Sequence, residues 1–276
     1  MGNLYVLFGH PVGHSMSPIV HNEQFSLLNM PHHYHAIDVE PGKIKEAVEA
    51  IKALSIAGAN VTVPHKVEIM KHLDHIDEEA RIIGAVNTIV NENGVLTGYN
   101  TDGQGYLESL LEVTGPDISD YKILVIGAGG ASRAVVTVLC RYGVNDLMIT
   151  NRTQERAEAL SKDCGGQVIS KEKAEGMLSE FDVIINTTSI GMSPNTDEMP
   201  MSVEGMKPKT IASDLIYNPL QTRWLAEAEK RGAVTHSGIG MFVRQGALAF
   251  KKWTGQEADL EIMTKTVLQQ LGGKND

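Results

Sequence analysis

The sequence of 276 residues predicts an α/β protein whose second half is a doubly wound parallel sheet. Strand-like and helix-like segments alternate along almost the whole chain. A continuous apolar strand at residues 122–126 runs directly into Gly127-Ala128-Gly129-Gly130, a sequence suited to a tight turn from a buried strand into a helix. The length favours two domains, because a domain typically has roughly 100–200 residues.

The first hundred residues alternate between short strands and helices. Strands are predicted at residues 4–8, 34–39 and 59–63, and a helix at 43–54. Ser17 followed by Pro18 predicts a helix start with Ser17 as the N-cap. Residues 80–100 are predicted to form strands around the turn dipeptide Asn93-Gly94. We therefore expect an αβ domain before the glycine-rich segment.

The second region has the pattern of a parallel sheet. Strands are predicted at residues 122–126, 146–150, 182–186 and 210–215, and helices at 131–142, 154–162 and 224–230. Strands that alternate with helices in this way indicate a sheet covered by helices on both faces. The tail, residues 240–271, is again predicted to be helical.

The charge balance argues against nucleic acid as a partner. Lys and Arg number 24 against 34 Asp and Glu, which gives a formal net charge of -10, and such a chain should repel a phosphate backbone. No apolar run approaches the roughly 20 residues of a membrane span, and the first residues lack the basic segment of a signal peptide. We expect a cytoplasmic protein that binds neither membranes nor nucleic acid, with Cys140 and Cys164 as reduced thiols.

The glycine-rich loop predicts a dinucleotide site. Glycines allow the tight turn and let backbone N–H groups approach a pyrophosphate at a helix N-terminus. Ser132 takes the third position of the fingerprint and is small enough for close packing of helix against strand. The alternative is a glycine turn with a purely structural role. The residues expected to bind the dinucleotide are Gly127, Ala128, Gly129, Gly130 and Ala131.

The end of the next strand indicates which dinucleotide is bound. An NAD site usually has an acidic residue there, which accepts hydrogen bonds from the ribose 2′-OH. This chain has Asn151-Arg152-Thr153 instead, with Arg156 one turn further on. Guanidinium groups bind phosphate in a fork, and positive charge at a helix N-terminus is otherwise unfavourable. The pattern favours NADP, and the alternative is a solvated helix start.

Several polar residues of the first region lie at predicted strand ends, where ligands bind in open αβ sheets. Taken one at a time, each has an ordinary explanation as a helix cap, a solvated helix start or a bulge residue, and these alternatives stay open. The candidates are Ser15, Ser17, Thr62, Lys66, Asn87 and Asp102.

In combination and in order, these segments resemble the shikimate dehydrogenase family along nearly the whole chain. In the first region the signatures are Gly9-His10-Pro11-Val12, Ser15-Met16-Ser17-Pro18, Asn60-Val61-Thr62-Val63-Pro64 with Lys66, Gly84-Ala85-Val86-Asn87-Thr88 and Gly98-Tyr99-Asn100-Thr101-Asp102-Gly103. In the second they are residues 127–133, Asn151-Arg152-Thr153, residues 186–191, Asp214-Leu215-Ile216-Tyr217-Asn218-Pro219 and residues 238–246.

The resemblance implies a fold and a reaction. It implies a substrate domain formed by residues 1–103 and 240–276, an NADP domain at residues 104–239, and C-terminal helices that return to the first domain. The implied activity is the reversible NADPH-dependent reduction of 3-dehydroshikimate to shikimate, in the biosynthesis of aromatic amino acids. We expect a monomer or a homodimer.

The resemblance also implies roles for individual residues. Lys66 and Asp102 are the implied catalytic pair at the reacting oxygen. The substrate's carboxylate and hydroxyls are expected to be bound by Ser15, Ser17, Thr62, Asn87 and Gln245, with Tyr217 facing the substrate. The nicotinamide side is expected to be lined by Thr187, Thr188, Ser189, Leu215, Gly238 and Met241, with Glu78 approaching it.

Two other functions compete with this one. A quinate/shikimate dehydrogenase with relaxed cofactor choice should carry an acidic residue after the second strand of the dinucleotide domain, where this chain has Asn151-Arg152-Thr153. A non-catalytic binding protein should lack Lys66 or Asp102, and both are present. Hydride transfer of this kind needs no metal, and the single histidine cluster, at residues 32–35, is expected to be ordinary.

Overall fold

The computed structural model describes residues 2–272, which divide into two compact units. One unit contains the chain up to Thr101 together with the residues from Val243 onward, and the other is Asp102–Phe242. No helix within residues 2–272 has both the length and the apolar character that a bilayer crossing requires.

The first unit is built on a mixed six-stranded sheet. The chain forms β1 (Leu4–Gly9), α1 (Ser17–Leu27), β2 (His33–Asp38), α2 (Ile44–Ala53), β3 (Gly58–Val61), β4 (His75–Ile76), α3 (Glu78–Ile83), β5 (Thr88–Glu92) and β6 (Val95–Tyr99). The strand order is β2-β1-β3-β5-β6-β4. Strands β1, β2 and β3 are parallel, whereas β5 is antiparallel to both β3 and β6.

Both faces of this sheet are covered. Along β1, Val6 and Phe8 belong to one buried cluster, and Tyr5 and Leu7 to another. This alternation follows from the two-residue period of a strand. It explains why β1 is apolar throughout.

The second unit is an all-parallel sheet. Its elements are α4 (Asp102–Thr114), β7 (Lys122–Ile126), α5 (Gly130–Tyr142), β8 (Asp146–Thr150), α6 (Gln154–Cys164), β9 (Gln167–Val168), α7 (Lys171–Gly176), β10 (Val183–Asn186), β11 (Ile211–Asp214), α8 (Arg223–Glu229) and β12 (Val234–His236). The order β12-β11-β10-β7-β8-β9 is that of a doubly wound dinucleotide fold, with the reversal between β7 and β10. The predicted fold class is confirmed.

Strand β7 is buried on both sides. Ile123 and Val125 pack into one core cluster, and Leu124 and Ile126 into the other. A strand covered on both faces reads as a continuous apolar run, which is the pattern that the sequence shows. The chain then ends in α9 (Ile239–Thr254) and α10 (Leu260–Gln270).

Two local predictions in the first unit are wrong. Met16, not Ser17, is the N-cap of α1, and Ser17 is the first helical residue. Residues 80–83 belong to helix α3 rather than to a strand. The side chain of Asp77 accepts a hydrogen bond from the N–H of Glu79 and caps this helix. Gly84, with φ of +74°, ends it.

The predicted hairpin is confirmed. Strands β5 and β6 pair antiparallel, with Glu92 opposite Val95. Asn93 and Gly94 between them have φ values of +54° and +90°. A two-residue turn with positive φ at both positions matches the right-handed twist of the strands.

Candidate active site

The glycine-rich loop joins β7 to α5 in a conformation that requires glycine at its first position. Gly127 has φ of +119°, and a Cβ there would lie 2.5 Å from Oγ1 of Thr187. The N–H of Gly127 donates to the carbonyl of Thr150 at 2.8 Å, which ties the loop to β8. The backbone conformation at Gly127 is therefore determined by contacts within the protein and does not depend on a bound ligand.

The second and third glycines of the loop face open space. A Cβ on Gly129 or on Gly130 would meet no heavy atom within 4 Å. The fold alone thus gives no steric reason for glycine at these two positions. Close approach of a pyrophosphate to the backbone N–H groups at the start of α5 does give one.

Ser132 fills the third fingerprint position and is fully buried. Its Oγ lies 2.5 Å from Oγ1 of Thr187 and accepts a hydrogen bond from the N–H of Gly129 at 3.2 Å. Thr187 in turn donates to the carbonyl of Ile126 at 2.7 Å. These bonds fix the loop after β7 against the loop after β10, where the strand order reverses.

A groove of about 770 Å³ opens at the carboxyl ends of these strands. It is deep enough for a cofactor-sized ligand, since such sites commonly measure roughly 300–1,000 Å³. Among the predicted cofactor residues, those that line it are Gly127, Ala128, Gly129, Asn151, Arg152, Arg156, Thr187, Thr188 and Ser189.

Arg152 and Arg156 give the groove a cationic end. Both side chains are exposed. Asn151 donates to the carbonyl of Thr153 at 2.8 Å and shapes the turn that carries Arg152. Lys171, at the start of α7, lines the same groove. Cations at this position, without a carboxylate at the end of β8, suit a 2′-phosphate better than a free ribose hydroxyl.

A buried carboxylate organises the loops on the other side of the reversal. Asp214, at the end of β11, is fully buried. It accepts hydrogen bonds from Asn186 Nδ2 at 3.1 Å, from the N–H of Ile216 at 3.0 Å and from Thr222 Oγ1 at 2.8 Å. Burial raises the pKa of Asp214 to about 6, and these donors only partly offset that effect. Asn186 also accepts from the N–H and Oγ1 of Thr188, at 3.0 and 2.7 Å.

The predicted nicotinamide residues after β11 and β12 are held by backbone contacts. The N–H of Leu215 donates to Asn186 at 3.0 Å. A Cβ on Gly238 would lie 2.1 Å from the carbonyl oxygen of Leu215, so this close approach requires glycine. The ring of Tyr217 lies 4.8 Å from that of Phe242, and burial raises its pKa. Met241 packs on the core beside α4.

In the first unit, the strand order brings candidate residues together at one end of the central strands. Thr62 and Lys66 follow β3, and Asn87 immediately precedes the antiparallel β5. The start of β5 therefore lies beside the end of β3. The carbonyl of Asn87 accepts from the N–H of Val61 at 2.8 Å, and that of Lys66 accepts from the N–H of Val86 at 2.8 Å.

Asn87 is fixed by a buried hydrogen-bond network. Its side chain is 2% exposed. Its Nδ2 donates to Oγ1 of Thr101 at 2.9 Å, and its Oδ1 accepts from the N–H of Thr101 at 2.8 Å and from Oγ1 of Thr88 at 2.9 Å. Asn60 donates to the carbonyl of Asn87 at 3.1 Å and accepts from the hydroxyl of Tyr34 at 2.8 Å. These bonds fix the orientation of the Asn87 amide.

The two serines after β1 lie at the same end of the central strands. The N–H of Ser17 donates to Oγ of Ser15 at 3.3 Å, and the two hydroxyls are also 3.3 Å apart. A hydrogen bond to Ser17 partly offsets the strong rise that burial causes in the pKa of Tyr34. The serines are thus linked through Tyr34 to Asn60 and to the network around Asn87.

The remaining candidates are divided between the two units. Gln245 lies on α9 in the first unit, and Glu78 lies in the first turn of α3. Asp102 is the first residue of α4 and begins the second unit. Its position is favourable because a helix N-terminus carries partial positive charge.

Sequence reasoning missed the residues that hold the candidates in place. Four such residues lie inside the segments that carry the family resemblance but have no predicted role: Asn60, Thr101, Asn186 and Asp214. The available signal was a polar side chain at or beside the end of a buried strand. Such a group must find hydrogen-bond partners inside the protein.

Three family models match the chain. They are described as the shikimate dehydrogenase substrate binding domain at residues 7–89, shikimate / quinate 5-dehydrogenase at residues 109–213, and the shikimate 5'-dehydrogenase C-terminal domain at residues 238–268.

Relatives and solved structures are similar over nearly the full length. A shikimate dehydrogenase (NADP(+)) of Geobacillus sp. (strain WCH70) is 52% identical over 99% of this chain and 100% of its own. A crystal structure of a shikimate dehydrogenase in complex with NADP+ has a TM-score of 0.93 at 44% identity, covering 98% of this chain and 96% of that one. The shikimate 5-dehydrogenase of Thermus thermophilus, in complex with NADP(H) and shikimate, has a TM-score of 0.90 at 35% identity, covering 97% and 99%.

Proposed function

The chain belongs to the shikimate dehydrogenase family, and we propose that it catalyses the reversible reduction of 3-dehydroshikimate to shikimate with NADPH. The reaction is a step in the biosynthesis of aromatic amino acids. The observation that carries the proposal is the gathering of Thr62, Lys66 and Asn87 at one end of the central strands of the mixed sheet, through backbone hydrogen bonds of 2.8 Å.

The residues of the second unit fit NADP. The open space over Gly129 and Gly130 leaves room for a pyrophosphate at the start of α5. The exposed guanidinium groups of Arg152 and Arg156 suit the 2′-phosphate. When bound, the nicotinamide ring supplies the hydride; the loops that carry Thr188, Leu215 and Gly238 would hold that ring.

The substrate side offers a fixed set of hydrogen-bonding groups. Hydroxyls and amides match a ligand with one carboxylate and several hydroxyls, because they donate and accept at neutral pH. Their preorganisation lowers the entropy lost when the substrate binds. The proposed ligands are Ser15, Ser17, Thr62, Asn87 and Gln245, with Tyr217 facing the substrate.

Lys66 and Asp102 are the proposed catalytic pair. As hydride reaches C3, the carbonyl oxygen on that carbon gains negative charge and needs a proton. The ammonium of Lys66 donates that proton and stabilises the charge as it develops. The products are shikimate, oxidised cofactor and neutral Lys66, which regains a proton from solvent. Asp102 orients Lys66 and accepts from the neighbouring substrate hydroxyl.

One assay tests the proposed function. Initial rates at 340 nm are measured with four pairs, namely shikimate or quinate with NADP or NAD. We expect shikimate with NADP to give a kcat/KM at least 100-fold above each pair that contains NAD. Equal or greater rates with quinate and NAD would favour the relaxed dehydrogenase, and no turnover with any pair would favour a binding protein.

The partners, assembly, location and domain bounds of the enzyme are also proposed. A net charge of -10 supports an enzyme that works without nucleic acid. We propose that it is a monomer or homodimer and that it works in the cytoplasm. Its functional domains would be residues 1–103 with 240–276 and residues 104–239. Sedimentation equilibrium distinguishes monomer from dimer, and a higher oligomer would contradict the proposed assembly.

A further inference from the structure

A buried chain of four hydrogen-bonding side chains lies in the second unit. His236, on β12, contacts Ser109 Oγ through Nε2 at 2.7 Å and Ser213 Oγ through Nδ1 at 2.9 Å. The hydroxyl of Tyr106 lies 2.9 Å from the same Oγ of Ser213. All four side chains are buried, His236 being 8% exposed. They connect helix α4 to strands β11 and β12.

The four side chains have an arrangement in which they donate in sequence. Tyr106 donates to Ser213, Ser213 donates to Nδ1, and the proton on Nε2 is donated to Ser109. In this arrangement a ring proton of His236 lies on Nε2, because Nδ1 accepts from Ser213. Burial raises the pKa of Tyr106, which keeps it a neutral donor.

The network acts on the face of α4 that carries Asp102. Tyr106 and Ser109 follow Asp102 at i+4 and i+7, and helical residues at these spacings share one face. Bonds from His236 and Ser213 to that face set the rotation of α4 about its own axis. Any rotation of the helix would move the Asp102 carboxylate sideways.

Close packing fixes the same helix along a second direction. A Cβ on Gly103 would lie 2.6 Å from Cγ1 of Val138 and 3.0 Å from the carbonyl of Ala134, so α4 touches the backbone of α5 next to Asp102. A Cβ on Gly240 would lie 1.9 Å from Oγ of Ser109, so the start of α9 closes over the network. The contact at Gly103 sets the distance between α4 and α5, and the hydrogen bonds of the network add a restraint on the rotation of α4.

We propose that His236, held between Ser109 and Ser213, is a positioning residue that fixes the Asp102 carboxylate for proton transfer. This inference rests on the proposed function, in which Asp102 orients Lys66. Catalytic geometry must hold to within about 0.5 Å. Loss of these bonds would let α4 rotate and would misalign Asp102, whereas the glycine-rich loop is held separately by the hydrogen bonds of Ser132 and Thr187.

The test compares His236→Leu, Ser213→Ala and Tyr106→Phe with Tyr121→Phe. The hydroxyl of Tyr121 bonds the carbonyl of Thr114 at 3.2 Å, at the far end of α4 from Asp102. Tyr121→Phe therefore removes a matched hydroxyl without touching the network. For each enzyme we would measure kcat between pH 5 and 10 with shikimate and NADP, the Kd of NADP by fluorescence, and the melting temperature.

We expect kcat to fall at least 10-fold in His236→Leu and 3-fold or more in Tyr106→Phe and Ser213→Ala. The midpoint of the kcat profile should shift by at least 0.5 pH unit, while the Kd of NADP stays within 2-fold. A merely structural role would lower the melting temperature and leave the profile in place. Tyr121→Phe should match wild type in kcat and profile.

Several results would overturn the proposal. An unshifted profile in Tyr106→Phe and Ser213→Ala would do so, and these two decide the question if His236→Leu does not fold. A loss of NADP affinity equal to the loss in kcat would place the role at the cofactor instead. Inactive wild type would remove the proposed function together with this inference, whereas active wild type with unchanged variants would remove this inference alone.

Discussion

Replacing Gly127 by Ala should destabilise the second unit whether or not a cofactor is present. Gly127 has φ of +119°, and an added Cβ would lie 2.5 Å from Oγ1 of Thr187 and 3.0 Å from Oγ of Ser132. Those two oxygens are themselves 2.5 Å apart. A methyl group at this point strains the backbone and forces the two hydroxyls apart.

The size of the effect follows from these two terms. A non-glycine residue in such a conformation costs about 1–3 kcal/mol, and loss of a buried hydrogen bond costs about 0.5–1.5 kcal/mol. Together they lower the free energy of unfolding by about 2–4 kcal/mol. At roughly 2–4 °C per kcal/mol for a chain of this size, the melting temperature falls by about 5–15 °C. Differential scanning fluorimetry without ligand measures it.

Gly129→Ala is the matched variant. Gly129 has φ of -97°, and an added Cβ would meet nothing within 4 Å. Its melting temperature should stay within about 3 °C of wild type, while the Kd of NADP rises at least about 10-fold, because the methyl group takes the space of the pyrophosphate. Equal melting temperatures for wild type and Gly127→Ala would refute the steric argument. Unchanged NADP affinity in Gly129→Ala would refute the placement of the phosphates.

Three further changes probe the cofactor, the chemistry and the buried carboxylate. Arg152→Ala should raise the KM for NADP about 10-fold or more, because it removes about 1.5–3 kcal/mol of binding free energy, and should leave the KM for NAD unchanged. The control Arg231→Ala should have the KM values of wild type. Equal losses with both cofactors would contradict a 2′-phosphate contact. Lys66→Ala should lower kcat at least about 100-fold, while its affinity for shikimate, measured by calorimetry, stays nearly unchanged. The loss of kcat in the double variant Lys66→Ala with Asp102→Ala should be far smaller than the product of the two single losses. A near-normal kcat in Lys66→Ala would refute its role in proton transfer, and Lys71→Ala is the control. Asp214 has its pKa raised to about 6, above the unfolded value of about 3.9, so the stabilisation of its protonated form is complete below about pH 4 and is lost as pH rises through 6. Measured by urea denaturation, the stability of wild type relative to Asp214→Asn should therefore fall by about 2 kcal/mol between pH 4 and pH 7. Parallel curves would contradict the burial argument.

The strands of the second unit could be predicted because local and tertiary demands agree there. β7 at Lys122–Ile126 and β8 at Asp146–Thr150 have the bounds expected from sequence. Both are apolar runs between turn residues, and both are buried by helices on the two faces of the sheet. Burial on both sides leaves a signal that a single sequence displays.

Prediction failed where short elements depend on capping and on neighbours. Helix α3 has only six residues, too few for a helical period to show, and its signals were Asp77 before it and Gly84 after it. Strands β4 and β9 have two residues each and exist because β6 and β8 offer an unpaired edge. Helix α4 was not predicted, although it carries the candidate Asp102.

The sequence by itself determined the chemistry available to this protein. The glycine-rich loop after a buried strand, the arginines after the next strand, and the order of polar segments were sufficient for the family, the reaction and the cofactor. The glycine-rich loop and the arginines are local signals, since each depends on residues a few positions apart, whereas the order of the polar segments extends along the whole sequence.

Only the tertiary structure decided which polar residues hold the others in place. Asn60 and Asn87 are 27 positions apart, and Ser109 and His236 are 127 apart. Asn60 meets Asn87 because β5 runs antiparallel to β3. Ser109 meets His236 because β12, which follows β11 at the edge of the second sheet, lies against helix α4. Hydrogen bonds act over about 3 Å, so a partnership between distant residues exists only once strand order has brought them together.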